Sequence, residues 1–178
     1  MAIALPRSSK SSARVVVAKE LRPYQRSLFL ARKRFNCWVC HRRFGKSALT
    51  ILLSLYELTR NTQGQPRYAY VAPLYRQAKA IAWDMLSRYA RVFEGTEINQ
   101  AELRADFPNG GQLRLYGADN PDSLRGIYLD GVVFDEYAQM RPRVWHEVVR
   151  PALADRRGWA IFIGTPLGKN HFYDLYQE

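Results

Sequence analysis

The sequence has 178 residues, of which 47% are hydrophobic and 13% aromatic, and this is enough apolar material for one folded domain. The composition excludes a disordered, collagen-like or coiled-coil chain, and no apolar run approaches the roughly 18 residues of a membrane span. The net charge of +11 is concentrated at the start, because residues 1–46 hold 12 Lys or Arg and one acid, whereas the remainder carries 15 of each.

The basic start indicates a segment that faces a polyanion. Residues 1–20 are predicted to form a mobile N-terminal arm, for which a basic solubilising tail is an equally good interpretation. One domain is expected over residues 21–178. No apolar stretch with a small-residue cleavage site follows the basic residues, so we expect no secretory signal there.

The rest of the chain alternates between patterns typical of helices and of strands. A helix is expected from Leu21, with Pro23 in its first turn. The elements that follow are a buried apolar strand at 35–40, a helix at 46–60, a strand at 67–72, a helix at 75–93, a hairpin of 102–107 with 112–116, and strands at 131–135 and 159–163. This alternation predicts an α/β fold, in which a mainly parallel sheet is covered by helices on both faces.

A phosphate-binding loop is predicted between the first of these strands and the helix that begins near Lys46. The segment at 40–47 reads CHRRFGKS, so Cys40 replaces the first glycine of the usual G-x-x-x-x-G-K-[ST] pattern and Gly45 supplies the second. In such a loop the amides at the helix N-terminus face the phosphates, Lys46 reaches phosphate oxygens and the Ser47 hydroxyl ligates Mg²⁺. A basic turn that caps a helix is the alternative for this motif taken alone.

Two adjacent carboxylates, Asp135 and Glu136, end the apolar strand at 131–135. Open α/β sheets bind ligands at the carboxyl ends of their strands, so we expect Asp135 to hold Mg²⁺ through water and Glu136 to orient and deprotonate the attacking water. A helix N-terminal cap is the alternative for the pair alone. Because both motifs occur in this order, each after its own strand, the sequence predicts a Mg²⁺-dependent nucleoside triphosphatase.

Four further polar residues are candidates for sensing or stabilising the reacting phosphate. Thr165 follows the strand at 159–163, which in the additional-strand (ASCE) class of these enzymes lies between the loop strand and the acid-bearing strand; a turn that starts a helix is the alternative. Arg42 and Arg43 lie in the phosphate loop, so at least one is expected to face phosphates. Arg125, on a polar loop, is a candidate arginine finger, DNA contact or loop-closing residue.

Cys37 and Cys40 have the spacing of a redox pair, but their position on an apolar strand favours simple packing. His41 and His146 lack the neighbours that a metal ligand would have, so both are assigned structural or surface roles.

Five motifs form a specific set: LRPYQ at 21–25, RRFGKS at 42–47, SLRG at 123–126, VFDEYA at 133–138 and GTP at 164–166. Together they resemble the N-terminal ATPase domain of the terminase large subunit of tailed bacteriophages, the motor that packs viral DNA into a procapsid. The resemblance runs from Leu21 to the end of the chain. It implies a P-loop NTPase of the ASCE type that uses ATP and Mg²⁺ to translocate double-stranded DNA.

The resemblance also implies a role for each matched residue. Gln25 would read adenine, Thr165 would couple hydrolysis to movement, and Arg125 would act as a finger in a neighbouring subunit. The remaining assignments are phosphate and metal binding by Arg42, Lys46 and Ser47, and metal binding and catalysis by Asp135 and Glu136.

The implied partners are double-stranded DNA, the portal protein and a small terminase subunit, with a homo-oligomeric ring when active, a monomer when isolated, and no membrane. The implied location is the host cytoplasm during phage assembly. A complete large terminase continues into a lid and a nuclease domain, so we expect this chain to lack the lid and to have no nuclease activity. The alternatives are a DNA helicase or remodelling ATPase fragment, and a nucleotide-binding fragment with little turnover.

Overall fold

The computed structural model describes residues 21–178, together with the backbone of two short segments that precede them. These segments, β1 (Ile3–Ala4) and β2 (Val16–Val17), pair in an antiparallel arrangement. The predicted mobile arm over residues 1–20 otherwise lies outside the described residues.

A seven-stranded sheet forms the centre of the described structure. Its strands are β3 (Phe35–Val39), β4 (Arg67–Ala72), β5 (Glu97–Asn99), β6 (Arg104–Asp106), β7 (Gln112–Gly117), β8 (Gly131–Asp135) and β9 (Trp159–Gly164). Their order across the sheet is β3-β9-β8-β4-β7-β6-β5. The first five are mutually parallel, and β6 and β5 are added antiparallel. The mainly parallel sheet predicted from the sequence is confirmed.

Strand β9 is inserted between β3 and β8, although it is the last strand in the chain. Phe35 of β3 is aligned with Ala160, and Asp135 of β8 with Ile163. This inserted strand is the feature expected of the ASCE class, and that expectation is confirmed. Because the three strands are parallel, their carboxyl ends meet at one edge of the sheet.

Helices and turns connect the strands. The helices are α1 (Pro23–Ala31), α2 (Lys46–Arg60), α3 (Tyr75–Ala78), α4 (Asp84–Ala90), α5 (Arg150–Ala152) and α6 (His171–Gln177). A π-helical segment, Lys79–Trp83, joins α3 to α4, and a second one, Val144–Val149, leads into α5. Two 3₁₀ turns lie at Pro121–Leu124 and Tyr137–Gln139. In the described part of the chain, no helix has the length and apolarity needed to cross a membrane.

The sheet separates two hydrophobic cores, one on each face. Successive strand residues alternate between them, as the two-residue repeat of a strand requires. Tyr70 and Val133 belong to the core that also contains Leu49 of α2, whereas Phe134 belongs to the core that contains Trp145. Burying each large apolar side chain stabilises the fold by about 1.5–3 kcal/mol, so both layers of helices are needed to cover the sheet.

Two sequence-based predictions are corrected here, and one strand was missed. The strand at 35–40 was expected to be buried, but β3 lies at the edge of the sheet, where Phe35 is 44% exposed and Val39 is 42% exposed. An apolar run does not reveal how many neighbouring strands a strand has, so its edge position could not be predicted from the sequence. The helix expected over 75–93 ends at Ala90, and the short polar strand β5 was not predicted.

Candidate active site

The phosphate loop, residues 40–45, connects β3 to α2. The Cys40 amide donates a hydrogen bond to the Gly164 carbonyl (2.9 Å), so the start of the loop is attached to the end of β9. At its other end Gly45 has φ +83°, a left-handed conformation that glycine adopts without a Cβ penalty. The N-terminus of α2 therefore stands at the edge where β9 and β8 end.

Lys46 is the first residue of α2 and lies between an acid and a hydroxyl. Its Nζ is 3.0 Å from Glu136 Oε1 and donates to Thr165 Oγ1 at 3.0 Å. The Thr165 amide in turn donates to Glu136 Oε2 at 3.2 Å. One side chain from each of α2, the end of β8 and the end of β9 is thus joined in a closed ring of contacts.

Ser47 and Asp135 form a second group beside the first. The Ser47 hydroxyl donates to Asp135 Oδ2 at 3.0 Å, and the Tyr70 hydroxyl donates to the same oxygen through a short hydrogen bond. Burial raises the pKa of the Asp135 carboxyl, and these two hydrogen bonds oppose that effect. Burial and the neighbouring Asp135 raise the pKa of Tyr70 well above its usual value, so the tyrosine remains the donor.

Glu136 has a left-handed backbone, with φ +55°, which is uncommon for a residue other than glycine. In a continuing strand, Asp135 and Glu136 would point to opposite faces of the sheet. The left-handed turn brings the two carboxylates to the same side, where Asp135 contacts Ser47 and Glu136 contacts Lys46. Local backbone strain of this kind recurs at functional sites.

Gln25, on α1, holds the phosphate loop from the side. Its Nε2 donates to the carbonyls of Phe44 (2.9 Å) and Gly45 (3.3 Å), and its Oε1 accepts from the Arg22 amide (3.1 Å). Both ends of the buried amide are therefore bonded to backbone groups in this arrangement. The adenine-reading role of Gln25 stays a prediction.

The three candidate arginines are exposed and lie at different places. Arg42 and Arg43 project from the phosphate loop, and Arg43 adopts φ +62°. Arg125 follows the 3₁₀ turn at Pro121–Leu124, where its Nε donates to Asp122 Oδ1 at 2.7 Å. Arg125 is thus held by its own loop and not by the Lys46 ring, and the roles of all three arginines stay predictions.

Ser47 and Asp135 also have the donor chemistry that Mg²⁺ requires. Both supply oxygen ligands, and Asp135 Oδ1 is a buried atom without a hydrogen-bond partner among the described residues. Within residues 21–178, no three His, Cys, Asp or Glu side chains cluster into an all-protein metal site. Mg²⁺ normally binds through one or two carboxylates together with substrate phosphates and water, so this donor set fits the ion.

The two cysteines, both free thiols, are buried to different extents. Cys40 belongs to the core on the α2 side, whereas Cys37 packs against the core on the other face. The packing role favoured from the sequence agrees with this arrangement, because thiols on opposite faces of a sheet do not meet.

Among the described residues, Tyr70 is a polar contact of Asp135 that the sequence analysis did not identify. It lies within the apolar strand β4. A buried tyrosine hydroxyl usually has a hydrogen-bond partner, so the sequence indicated that a partner exists but not which residue it is. The partner is visible only once β4 and β8 are known to be neighbours.

Comparison with known proteins extends this description. The family model for the terminase large subunit, T4likevirus-type, N-terminal, matches residues 41–178. The terminase large subunit of Thermus virus P23-45 is 33% identical over 165 residues, which cover 82% of this chain and 33% of that protein. The terminase large subunit of Escherichia phage T5 is 29% identical over 151 residues, with the same coverage. The chain therefore spans about a third of the length of these curated relatives.

Solved structures share the fold. The large terminase ATPase domain of Thermus phage P74-26 superposes with a TM-score of 0.76 at 29% identity, over 88% of this chain and 69% of that chain. The HK97 bacteriophage large terminase superposes with a TM-score of 0.71 over 89% of this chain and 36% of that chain, at 15% identity, which indicates a common fold. The ASCE-type sheet, the match of the family model and these relatives together establish that the chain belongs to the terminase large subunit family, of the T4likevirus-type N-terminal class.

Proposed function

We propose that this chain is the ATP-hydrolysing domain of a viral packaging motor, and that it uses Mg²⁺-dependent ATP hydrolysis to translocate double-stranded DNA into a procapsid. The observation that carries the proposal is the convergence of Lys46, Ser47, Asp135, Glu136 and Thr165 at one edge of the sheet. The P74-26 relative is described as an ATPase domain, which supports the same activity.

Phosphate binding would begin at the N-terminus of α2. Backbone amides at a helix N-terminus attract anions, and the Lys46 ammonium adds a full positive charge beside them. Because Lys46 is paired with Glu136, phosphate oxygens must compete with that carboxylate for the ammonium. Binding would therefore free Glu136 to accept a proton from the attacking water.

The metal role is assigned to Ser47 and Asp135. Held by these two residues, Mg²⁺ would supply positive charge that offsets the negative charge of the phosphate oxygens. The protein contributes one hydroxyl and one buried carboxylate, already 3.0 Å apart, so these ligands need little rearrangement. Thr165, hydrogen-bonded to Lys46, would report the loss of the terminal phosphate through β9.

The arginines would complete the site. Arg42 or Arg43 would contact phosphates from the loop, and Gln25 would set the loop's position whether or not it also reads adenine. Arg125 pairs with Asp122 at the surface, and such exposed ion pairs contribute only about 0–1 kcal/mol. Because this pair is weak, the guanidinium would leave Asp122 to act in the site of a neighbouring subunit in a homo-oligomeric ring.

The proposed partners follow from the family. They are double-stranded DNA, bound through phosphate contacts that weaken with salt, together with a portal protein and a small terminase subunit in the cytoplasm of the infected host. A strand-separation assay distinguishes this proposal from a helicase, because a packaging motor moves the duplex without opening it.

The test is phosphate release from Mg²⁺-ATP over a range of protein concentrations, with and without duplex DNA. Glu136→Gln should bind ATP and lose turnover, whereas the exposed control Glu147→Gln should behave as the unmodified chain. Turnover that rises faster than linearly with concentration supports an arginine acting between subunits. ATP binding with no turnover in any variant would support the nucleotide-binding alternative, and a failure to bind ATP would refute the proposal.

A further inference from the structure

We infer that Tyr70 is a positioning residue for the proposed Mg²⁺ site, and that its hydroxyl fixes the Asp135 carboxylate so that Oδ1 remains available to the cation. This inference rests on the proposed function, since it concerns the metal that the ATPase would use.

The position of Tyr70 follows from the sheet. Strand β4 is the neighbour of β8, and Tyr70 is aligned with Val133, two residues before Asp135. The two-residue repeat places Tyr70, Val133 and Asp135 on the same face, which is the face covered by α2. The phenol thus extends along β8 and reaches the carboxylate at the end of the strand.

The two oxygens of Asp135 have different surroundings. Oδ2 accepts hydrogen bonds from both Tyr70 and Ser47, whereas Oδ1 is buried with no hydrogen-bond partner among the described residues. A bare buried carboxylate oxygen is costly, and native proteins keep such atoms where they serve an ion or a reaction. The pattern of donors therefore directs Oδ1, not Oδ2, towards a cation.

Tyr70 is the more rigid of the two donors. It is only 1% exposed and is held in a strand that pairs on both sides, so its hydroxyl has little freedom to move. Ser47 is itself a proposed metal ligand and has to serve the ion and the carboxylate together. Without the Tyr70 hydroxyl, the carboxylate loses the donor that resists rotation about its terminal bond.

If the Tyr70 hydroxyl only stabilised the core, removing it should not affect the Mg²⁺ requirement. Tyr68 provides the matched control for this alternative. Tyr68 lies on the same strand and the same face, is 4% exposed, and accepts a hydrogen bond from Asn61 Nδ2 at 3.2 Å. Tyr70→Phe and Tyr68→Phe each remove one buried hydroxyl from β4, but only the first removes a contact with Asp135. The two variants should therefore lose a comparable amount of free energy of unfolding in urea experiments.

The experiment measures ADP affinity of the 178-residue chain by titration calorimetry, first in EDTA and then at increasing Mg²⁺ concentration. Tyr70→Phe should raise the Mg²⁺ concentration for half-maximal effect by roughly tenfold or more, the usual consequence of losing a partner of a metal ligand. Its ADP affinity in EDTA should equal that of the unmodified chain. Tyr68→Phe should change neither quantity.

Two results would overturn the inference. An unchanged Mg²⁺ requirement in Tyr70→Phe would show that the hydroxyl only fills the core, and an equal shift in Tyr68→Phe would show a general effect of destabilising β4. Failure of the proposed function is seen separately, because the unmodified chain would then not bind ADP, or would bind it without regard to Mg²⁺; either result refutes the metal role before any variant is compared.

Discussion

Replacing Gly45 by alanine should destabilise the fold by more than its backbone conformation alone predicts. Gly45 has φ +83°, and a Cβ at this position would lie 2.6 Å from Gln25 Nε2. That nitrogen is the donor that holds the Phe44 and Gly45 carbonyls. Alanine therefore forces the end of the Gln25 side chain to move, and we expect both hydrogen bonds to be lost.

The expected magnitude has two parts. A Cβ in the left-handed region costs about 1–2 kcal/mol. The two hydrogen bonds of Gln25 contribute about 0.5–1.5 kcal/mol each, so their loss adds about 1–3 kcal/mol. The free energy of unfolding of Gly45→Ala should thus fall by about 2–5 kcal/mol.

Urea unfolding followed by tryptophan fluorescence measures this change. Gly168→Ala is the matched control, because Gly168 also has a positive φ (+64°) and a Cβ there meets no atom of the described structure within 4 Å. The free energy of unfolding of Gly168→Ala should fall only by the cost of a Cβ in the left-handed region, about 1–2 kcal/mol. Equal losses at the two positions would refute the reasoning, as would an undiminished Gly45→Ala effect in a Gln25→Ala background.

Three further predictions concern packing and reactivity. Burial raises the pKa of both Cys37 and Cys40 to about 11, so iodoacetamide should label them roughly a hundredfold more slowly at pH 8 than an unfolded thiol, with rates still rising at pH 10. Phe134→Ala should lower the free energy of unfolding by about 3–5 kcal/mol in urea, because the fully buried ring stacks on Phe162 at 5.1 Å. Asn170→Ala should cost about 1 kcal/mol in the same assay, since the Asn170 side chain caps α6 by accepting from two amides.

Local sequence patterns predicted the elements whose burial is repeated regularly along their length. β4, β8 and α2 were predicted with their observed bounds, because β4 and β8 are covered on both faces and α2 carries a continuous apolar stripe. The sequence misjudged β3 because a strand's place in a sheet depends on its partners, which are about 125 residues away along the chain. The polar strand β5 carried no apolar alternation to reveal it.

In the candidate site, too, some residues could be predicted from the sequence and others could not. The motif residues Lys46, Asp135 and Glu136 were predicted from spacing, and the structure brings them together. The internal bonds of Gln25 and the contact of Tyr70 were not predictable, since each depends on a neighbour chosen by the tertiary fold. A motif thus identifies which groups meet at a site, whereas the residues that orient those groups come from strands without a motif.

The inserted position of β9 has a consequence for the order of events during synthesis. Among the described strands, β3 pairs only with β9, so in this sheet it waits for its partner until residues 159–164 have been made. At about 5–20 residues per second, the strand that precedes the phosphate loop waits roughly 6–25 s for its neighbour. The ring formed by Lys46, Glu136 and Thr165 closes only after that pairing. The candidate site therefore assembles on the ribosome only after β9 has been made, and nucleotide binding by a nascent chain would report that β3 and β9 have paired.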